Sequence, residues 1–434
     1  MNRATNPETD APTAGSASHW NAAPASGHGF INLLASLERG LGCQGPLNPE
    51  APLPALAPET LASHQHVLFW LIDGFALDYL PHTPVLRSDL FQRLEAVFPS
   101  TTASAITSVF TGVSPAQHGL LGWRTWLPRP RSTLTVLPAR EADHNGNSAG
   151  LSTTELEQRI RPPLLLDRLP RATTVISPAA IAHSSYNRLM SGSARVLSFR
   201  HLDELPALLG MHVRNRTDGP HFTYLYWSHL DHLGHEHGPG STEVRNHLAE
   251  IDTAYAAIIG QLQGTGALFL TSTDHGMRTM SRRLNIREAP AVSDCLRHPL
   301  TGEPRAAIAH VKPDRHRQFR HAVSEAFGSS VELVAMDEWL SGRAFGSGPP
   351  HPELQARAGD YLLFPDADSF LVDPVGDDTG PDFRGAHGGL TREEREIPLF
   401  RHDLDALRPV SNKRPGTDFQ SAPATRGTSG GRRS

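Results

Sequence analysis

Four short apolar runs, His66 to Ile72, Ala172 to Ile176, His221 to Ser228 and Ala267 to Ser272, are separated by longer stretches of helical periodicity. That alternation predicts an α/β chain with a mostly parallel central sheet flanked by crossover helices. Three of the runs close on acidic residues, Asp73, Asp231 and Asp274. These carboxylates are expected at the C-terminal edge of the sheet, where open α/β folds place their ligand crevice.

Between the runs, Ser241 is placed to cap a helix with an apolar stripe of Val244, Leu248, Ile251, Tyr255, Ile258 and Leu262. Ser152 and Glu155 have capping-box spacing ahead of another helical stretch. From about 278 to 384 the texture changes to prolines and charged residues, with a helical pattern near 314–326 followed by Val331 to Val334. The expected organisation is an α/β catalytic core at 29–279 and 385–408 with a smaller inserted α+β cap at 280–384. Segments 1–28 and 409–434, poor in large apolar residues, are expected to be disordered tails. No repeat of fixed period is present, which argues against a solenoid or propeller.

Composition sets the outer limits. A chain of 434 residues, 38% hydrophobic and 20% charged, is long enough to bury a large core. A formal net charge of -5 provides no global field for nucleic acid or an acidic membrane. The strongest apolar run is far shorter than the roughly 20 residues that span a bilayer. The N-terminal stretch lacks the basic start and apolar centre of a signal peptide, and Cys43 and Cys295 stand alone, with no disulfide framework or thiolate metal site. Reduced thiols and a cytoplasmic location are the expectation. Nothing in the sequence bears on oligomeric state.

Chemistry concentrates in a few motifs. In Asp231-His232-Leu233-Gly234-His235-Glu236-His237-Gly238-Pro239, a carboxylate is followed four residues on by an imidazole, which suits one cation held by oxygen and nitrogen. Gly234 is expected to let the chain turn tightly there. Asp274-His275-Gly276 offers adjacent donors at a second strand end, with Gly276 allowing a turn. Asp73-Gly74 follows a third, and His387 lies among glycines in Gly385-Ala386-His387-Gly388-Gly389. Each motif alone also reads as an ordinary loop. Together, three aspartates and three histidines supply three protein ligands for each of two divalent ions, zinc, manganese or iron in preference to copper(I) or an iron-sulfur cluster.

Phe98-Pro99-Ser100-Thr101-Thr102-Ala103 suggests a turn into a helix whose first N–H groups face an anion. Any of the three hydroxyls could cap that helix, and one of them could act as a nucleophile once a cation lowers its pKa. Two divalent ions against three carboxylates leave about one net positive charge, which favours a phosphoester substrate.

These motifs, in this order, with Thr111-Gly112 and His118-Gly119 between them, resemble the nucleotide pyrophosphatase/phosphodiesterase family of the alkaline phosphatase superfamily. The resemblance spans roughly 66 to 400. It implies one zinc held by Asp231, His235 and His387 and a second by Asp73, Asp274 and His275. It also implies Thr102 as the nucleophile bridging towards the second ion, Thr101 being the fallback, and a covalent phosphothreonine. Family members carry an Asn beyond His-Gly that holds a phosphate oxygen; here the segment reads Gly119-Leu120-Leu121-Gly122-Trp123-Arg124. Arg124 and Trp123 are the substrate-binding candidates in its place. Formylglycine sulfatases share the superfamily, but neither cysteine lies in a Cys-x-Pro-x-Arg segment.

The expected activity is hydrolysis of a phosphodiester or pyrophosphate bond in a small-molecule substrate. The alternative is a phosphomonoesterase on the same site, with Arg124, Arg129 or Arg131 binding the extra charged oxygen. A non-catalytic metal- and phosphate-binding protein is a third reading.

Overall fold

The computed structural model describes residues 28–143, 147–216, 219–374 and 380–405. The tails expected at 1–28 and 409–434 lie outside them, apart from His28.

Seven strands form the main sheet: β1 (His66–Ile72), β2 (Leu90–Glu95), β3 (Ala172–Pro178), β4 (Arg195–Phe199), β5 (His221–Trp227), β6 (Leu268–Ser272) and β7 (Glu396–Asp403). Their spatial order is β2-β7-β6-β1-β5-β3-β4. Strands β6, β1, β5, β3 and β4 run parallel, and only β7 opposes its neighbours. The four runs expected as strands are β1, β3, β5 and β6.

The central strand β1 shows why the sheet forms where it does. All six residues from Val67 to Ile72 are buried, the continuous apolar pattern of a strand covered on both faces. Val67, Phe69 and Leu71 enter one core layer beneath α2 (Thr102–Thr111), beside Ile106 and Phe110. Leu68, Trp70 and Ile72 enter the other with Leu248, Ile251 and Tyr255. The indole of Trp70 stacks against both Phe269 and Tyr255, at ring-centroid distances of 6.3 and 6.4 Å, and these two rings lie 5.5 Å from each other. Burying each of these large side chains stabilises the fold by about 1.5–3 kcal/mol.

Two helix starts follow the expected local chemistry. The hydroxyl of Ser241 accepts from the Val244 N–H at the head of the 21-residue helix Thr242–Leu262. Ser152 and Glu155 cap each other at Thr153–Ile160. The pattern expected near 314–326 is the helix His316–Phe327, followed by strand Val331–Ala335.

A second sheet of eight strands combines two distant parts of the chain. Val331–Ala335, Tyr361–Pro365, Ala306–Ala309 and Thr301–Glu303 continue into Arg124–Leu127, Ser132–Thr135, Arg140–Ala142 and Ser148–Gly150. The join is narrow, Gly302 pairing with Arg124. Arg305, just beyond it, is tied to Glu394 by two hydrogen bonds of 3.1 and 3.0 Å, with both side chains buried. This pair fastens the second sheet to the segment entering β7. Among the described residues no helix is long and apolar enough to cross a membrane.

Candidate active site and metal centre

Asp73, Asp231, His235, Asp274 and His275 lie at or just beyond the ends of central strands. Asp73 follows β1 directly, and Gly74 after it has φ +71, with room for no more than a hydrogen on the side facing Asp231. Strand β5 runs into the helix His229–His237, which carries Asp231 and His235 one turn apart on the same face. Gly234 therefore does not make the tight turn expected of it. It lies inside this helix, where a Cβ would come within 2.2 Å of Met277 Sδ, so close packing is what requires glycine. Gly276 serves the same purpose beyond β6: its Cβ would lie 1.9 Å from the Glu393 carbonyl oxygen. The pairing of Arg278–Thr279 with Gly385–Ala386 then brings His387 alongside.

The six expected ligands gather into two adjoining groups, Asp231, His235 and His387 in one and Asp73, Asp274 and His275 in the other, with donor atoms within 4.8 Å of one another in each. In the first, His235 Nε2 lies 3.3 Å from Asp231 Oδ2 and 3.2 Å from His387 Nε2. In the second, His275 Nε2 lies 3.3 Å from Asp73 Oδ1 and 3.4 Å from Asp274 Oδ2. The rings of His275 and His387 stack at 3.5 Å, which makes the two groups neighbours.

Hydrogen bonding outside the groups sets the tautomers. Nδ1 of His235 meets Gly385 O at 2.8 Å, that of His387 meets Ser100 O at 3.0 Å, and that of His275 meets Gly276 O at 2.9 Å. A carbonyl only accepts, so all three imidazoles carry a proton on Nδ1 and turn Nε2 inward, as metal-ligating histidines do.

The electrostatics ask for positive charge. Burial pushes Asp73 up to about 8, and the neighbouring Asp231 adds to the rise. Burial and then Asp73 drive Asp274 well above the carboxylate range. Asp231 goes the other way: against burial, the adjacent His235 holds its carboxyl well below the usual range. Oδ1 of Asp231 and Oδ2 of Asp274 are buried and have no hydrogen-bond partner. Unpaired buried carboxylate oxygens beside inward-facing imidazole nitrogens form a donor set that fits a divalent cation in each group.

Thr102 is the first residue of α2, where the leading N–H groups lack intrahelical acceptors. Its Oγ1 lies 3.0 Å from His275 Nε2 and 3.3 Å from Asp73 Oδ1. Thr101 is the N-cap and turns its hydroxyl away, to Glu303. Ser100 donates to Gly389 O at 2.8 Å. Of the three hydroxyls left open by the sequence, only that of Thr102 meets a donor group, the one formed by Asp73, Asp274 and His275.

A cavity of about 1230 Å³ opens over Asp73, Thr102, Asp231, His235 and His387. Trp123 and Arg124 both line it, Trp123 with 39% of its surface exposed. Arg129 and Arg131 do not: Arg129 pairs at the surface with Glu353 at 2.9 Å, and Arg131 is exposed. Two further residues escaped the sequence reading. Tyr226 donates its hydroxyl to Asp73 Oδ2 from the end of β5, where it looked like strand packing. Glu303, in a stretch without a motif, is buried in the cavity wall behind Thr101.

Residues 67–390 match the family of type I phosphodiesterases and nucleotide pyrophosphatases. The chain belongs to that family. Among relatives, ectonucleotide pyrophosphatase/phosphodiesterase family member 1 of Mus musculus is 24% identical over 253 residues, 54% of this chain and 26% of that protein. The Rattus norvegicus protein of the same name is also 24% identical, over 53% of this chain and 25% of its own length. The chain thus spans about a quarter of the length of these relatives. Murine ectonucleotide pyrophosphatase/phosphodiesterase 5 superposes with a TM-score of 0.58 at 17% identity, covering 77% of this chain and 87% of that one. Phosphonoacetate hydrolase from Sinorhizobium meliloti 1021 gives 0.55 at 18% identity, covering 80% and 91%. These two likenesses establish the alkaline phosphatase-like fold.

Proposed function

We propose that this chain hydrolyses phosphodiester or pyrophosphate bonds in a small-molecule substrate at a two-metal site, through a covalent phosphothreonine on Thr102. The observation that carries the proposal is the position of Thr102 Oγ1, within 3.3 Å of both Asp73 and His275 at the head of a helix. Asp231, His235 and His387 would hold one cation, and Asp73, Asp274 and His275 the other. Bound there, two zinc ions, or manganese or iron with the same donors, supply a lowered hydroxyl pKa and positive charge for the phosphoryl oxygens.

The chain's own residues account for the rest. His275 and Asp73 fix the direction of Thr102 Oγ1, and the free N–H groups of α2 face the anion it attacks. The oxygen of Thr102 forms a bond to phosphorus as the bond to the leaving alcohol or phosphate breaks. Water then cleaves the phosphothreonine and returns the hydroxyl. Trp123 and Arg124 line the space for the rest of the substrate. Two likenesses agree with this reading: an inactive threonine-to-alanine variant of the murine relative was solved with AMP, and the bacterial neighbour with phosphonoformate. Two free thiols, Cys43 and Cys295, accord with a cytoplasmic location.

Thr102→Ala tests the mechanism. Turnover of bis(4-nitrophenyl) phosphate by metal-loaded protein should fall by about a thousandfold or more, with metal content by elemental analysis unchanged. Undiminished turnover would overturn the role of Thr102.

A further inference from the structure

One carboxyl group in the cavity wall is not among the expected metal ligands. Glu303 comes from the short strand Thr301–Glu303 of the second sheet, is only 5% exposed, and lines the same cavity as Thr102 and both ligand groups. Its Oε1 accepts from Thr101 Oγ1 and from the Trp123 backbone N–H, each at 2.5 Å. A backbone N–H can only donate, so Oε1 acts there as an acceptor; burial pushes the carboxyl up to about 7, so the group is mostly the anion only above that pH. Its Oε2 makes no hydrogen bond among the described residues, and no Lys or Arg there forms an ion pair with it. The fold makes room for this carboxylate: Gly388, next to His387 and at φ +109, would bring a Cβ within 2.7 Å of Glu303 Cβ. The chemistry of two charges explains why placement matters. Glu303 takes up the Trp123 N–H and sets a carboxyl group one hydrogen bond from Thr101, the residue preceding the nucleophile.

Resting on the function proposed above, we infer that Glu303 is a specificity-determining residue that rejects dianionic phosphomonoesters and admits phosphoryl groups bearing a single negative charge. A diester, or an internal phosphoryl of a pyrophosphate, presents esterified oxygens without charge where a monoester presents a further anionic oxygen. A monoester carries close to two charges at neutral pH. Repulsion between its extra charge and a buried carboxylate, in surroundings less polar than water, discriminates where attraction by the cations alone cannot. Arg124 lies across the strand pair, opposite Gly302, and so stands on the same wall without pairing with Glu303.

The test uses two substrates with one leaving group, bis(4-nitrophenyl) phosphate and 4-nitrophenyl phosphate, on the full metal-loaded chain at about pH 8.5, above the raised value of Glu303. Glu303→Gln keeps an oxygen that accepts from Thr101 and Trp123 but removes the charge. The ratio of monoester to diester kcat/KM should rise by about tenfold or more, and inorganic phosphate should bind correspondingly tighter in calorimetry. Glu303→Asp, which keeps the charge, should leave the ratio near that of the wild type. If the Gln variant does not fold, Glu303→Met serves, since an apolar residue of similar size is often tolerated in place of a buried charge. An unchanged ratio and unchanged phosphate affinity in the charge-free variant would overturn the inference. Wild-type protein inert towards the diester, or Thr102→Ala with full activity, would instead overturn the underlying function.

Discussion

His118 shows how a residue that looks like part of a site can serve the fold. It is buried beneath α2, where Nδ1 accepts from the Leu120 N–H at 3.1 Å and Nε2 faces Ser108 Oγ at 3.1 Å. Burial lowers its pKa to about 3, with His351 and Arg357 opposing protonation further. Because the folded value lies below the unfolded 6.5, the unfolded chain takes up the proton first. Stability contributed by this residue is present above pH 6.5 and is lost as pH falls from there towards 3, by up to about 1.4 kcal/mol per pH unit. Denaturant unfolding between pH 4.5 and 7 should show that slope, and His118→Gln should flatten it. Of the 24 histidines in the sequence, His118 is buried and His298 and His351 are partly buried, and burial lowers the pKa of all three. Their burial is not legible locally, because the segments that cover them come from other parts of the chain.

At the scale of elements, glycine chemistry separates what was legible from what was not. At Gly74 the positive φ after a strand is a property of that residue's own backbone. Gly234 and Gly276 are different, because what crowds them is Met277 in one case and the Glu393 carbonyl in the other. We expect Gly276→Ala to destabilise the fold by about 1–3 kcal/mol and to lower metal content, since the backbone of the Asp274–His275 corner has to move. Gly234→Ala should cost less, as the Met277 side chain can shift and alanine favours the helix. Thermal melts with elemental analysis of both variants check the order; equal effects would show that the Glu393 contact is not limiting. The same distinction covers helix ends. Ser241 and Ser152 were readable because capping acts over three residues.

For the whole molecule, the decisive contacts join segments far apart in sequence. Arg305 and Glu394 are 89 residues apart and both buried, and Glu394 also accepts from Gly389 N–H and Thr391. Arg305→Ala leaves that carboxylate uncompensated and should lower stability by about 3–5 kcal/mol, measured by denaturant unfolding. A loss below 1 kcal/mol would mean that the second sheet is held by its apolar contacts alone. The sheet that combines 301–365 with 124–150 belongs to this scale too. Proline and charge content in 280–384 marked a change of texture but carried no information about the strands on which that segment pairs.

Asp73, Asp231, His235, Asp274 and His275 were nameable from the chain itself, because apolar runs closing on aspartates, with histidines at short offsets, are local patterns tied to strand ends; Thr102 was selected from its neighbours, and His387 from its glycines, only by the family resemblance. That the Nε2 atoms of His235 and His387 face inward depended on the carbonyls of Gly385 and Ser100 arriving from distant segments, and that Thr101 turns away depended on Glu303. Glu303 and Tyr226 depended on the same convergence. Residue type and spacing specify donor chemistry along the chain, whereas charge balance in a buried site is a sum over neighbours that only the folded packing brings within a few ångströms.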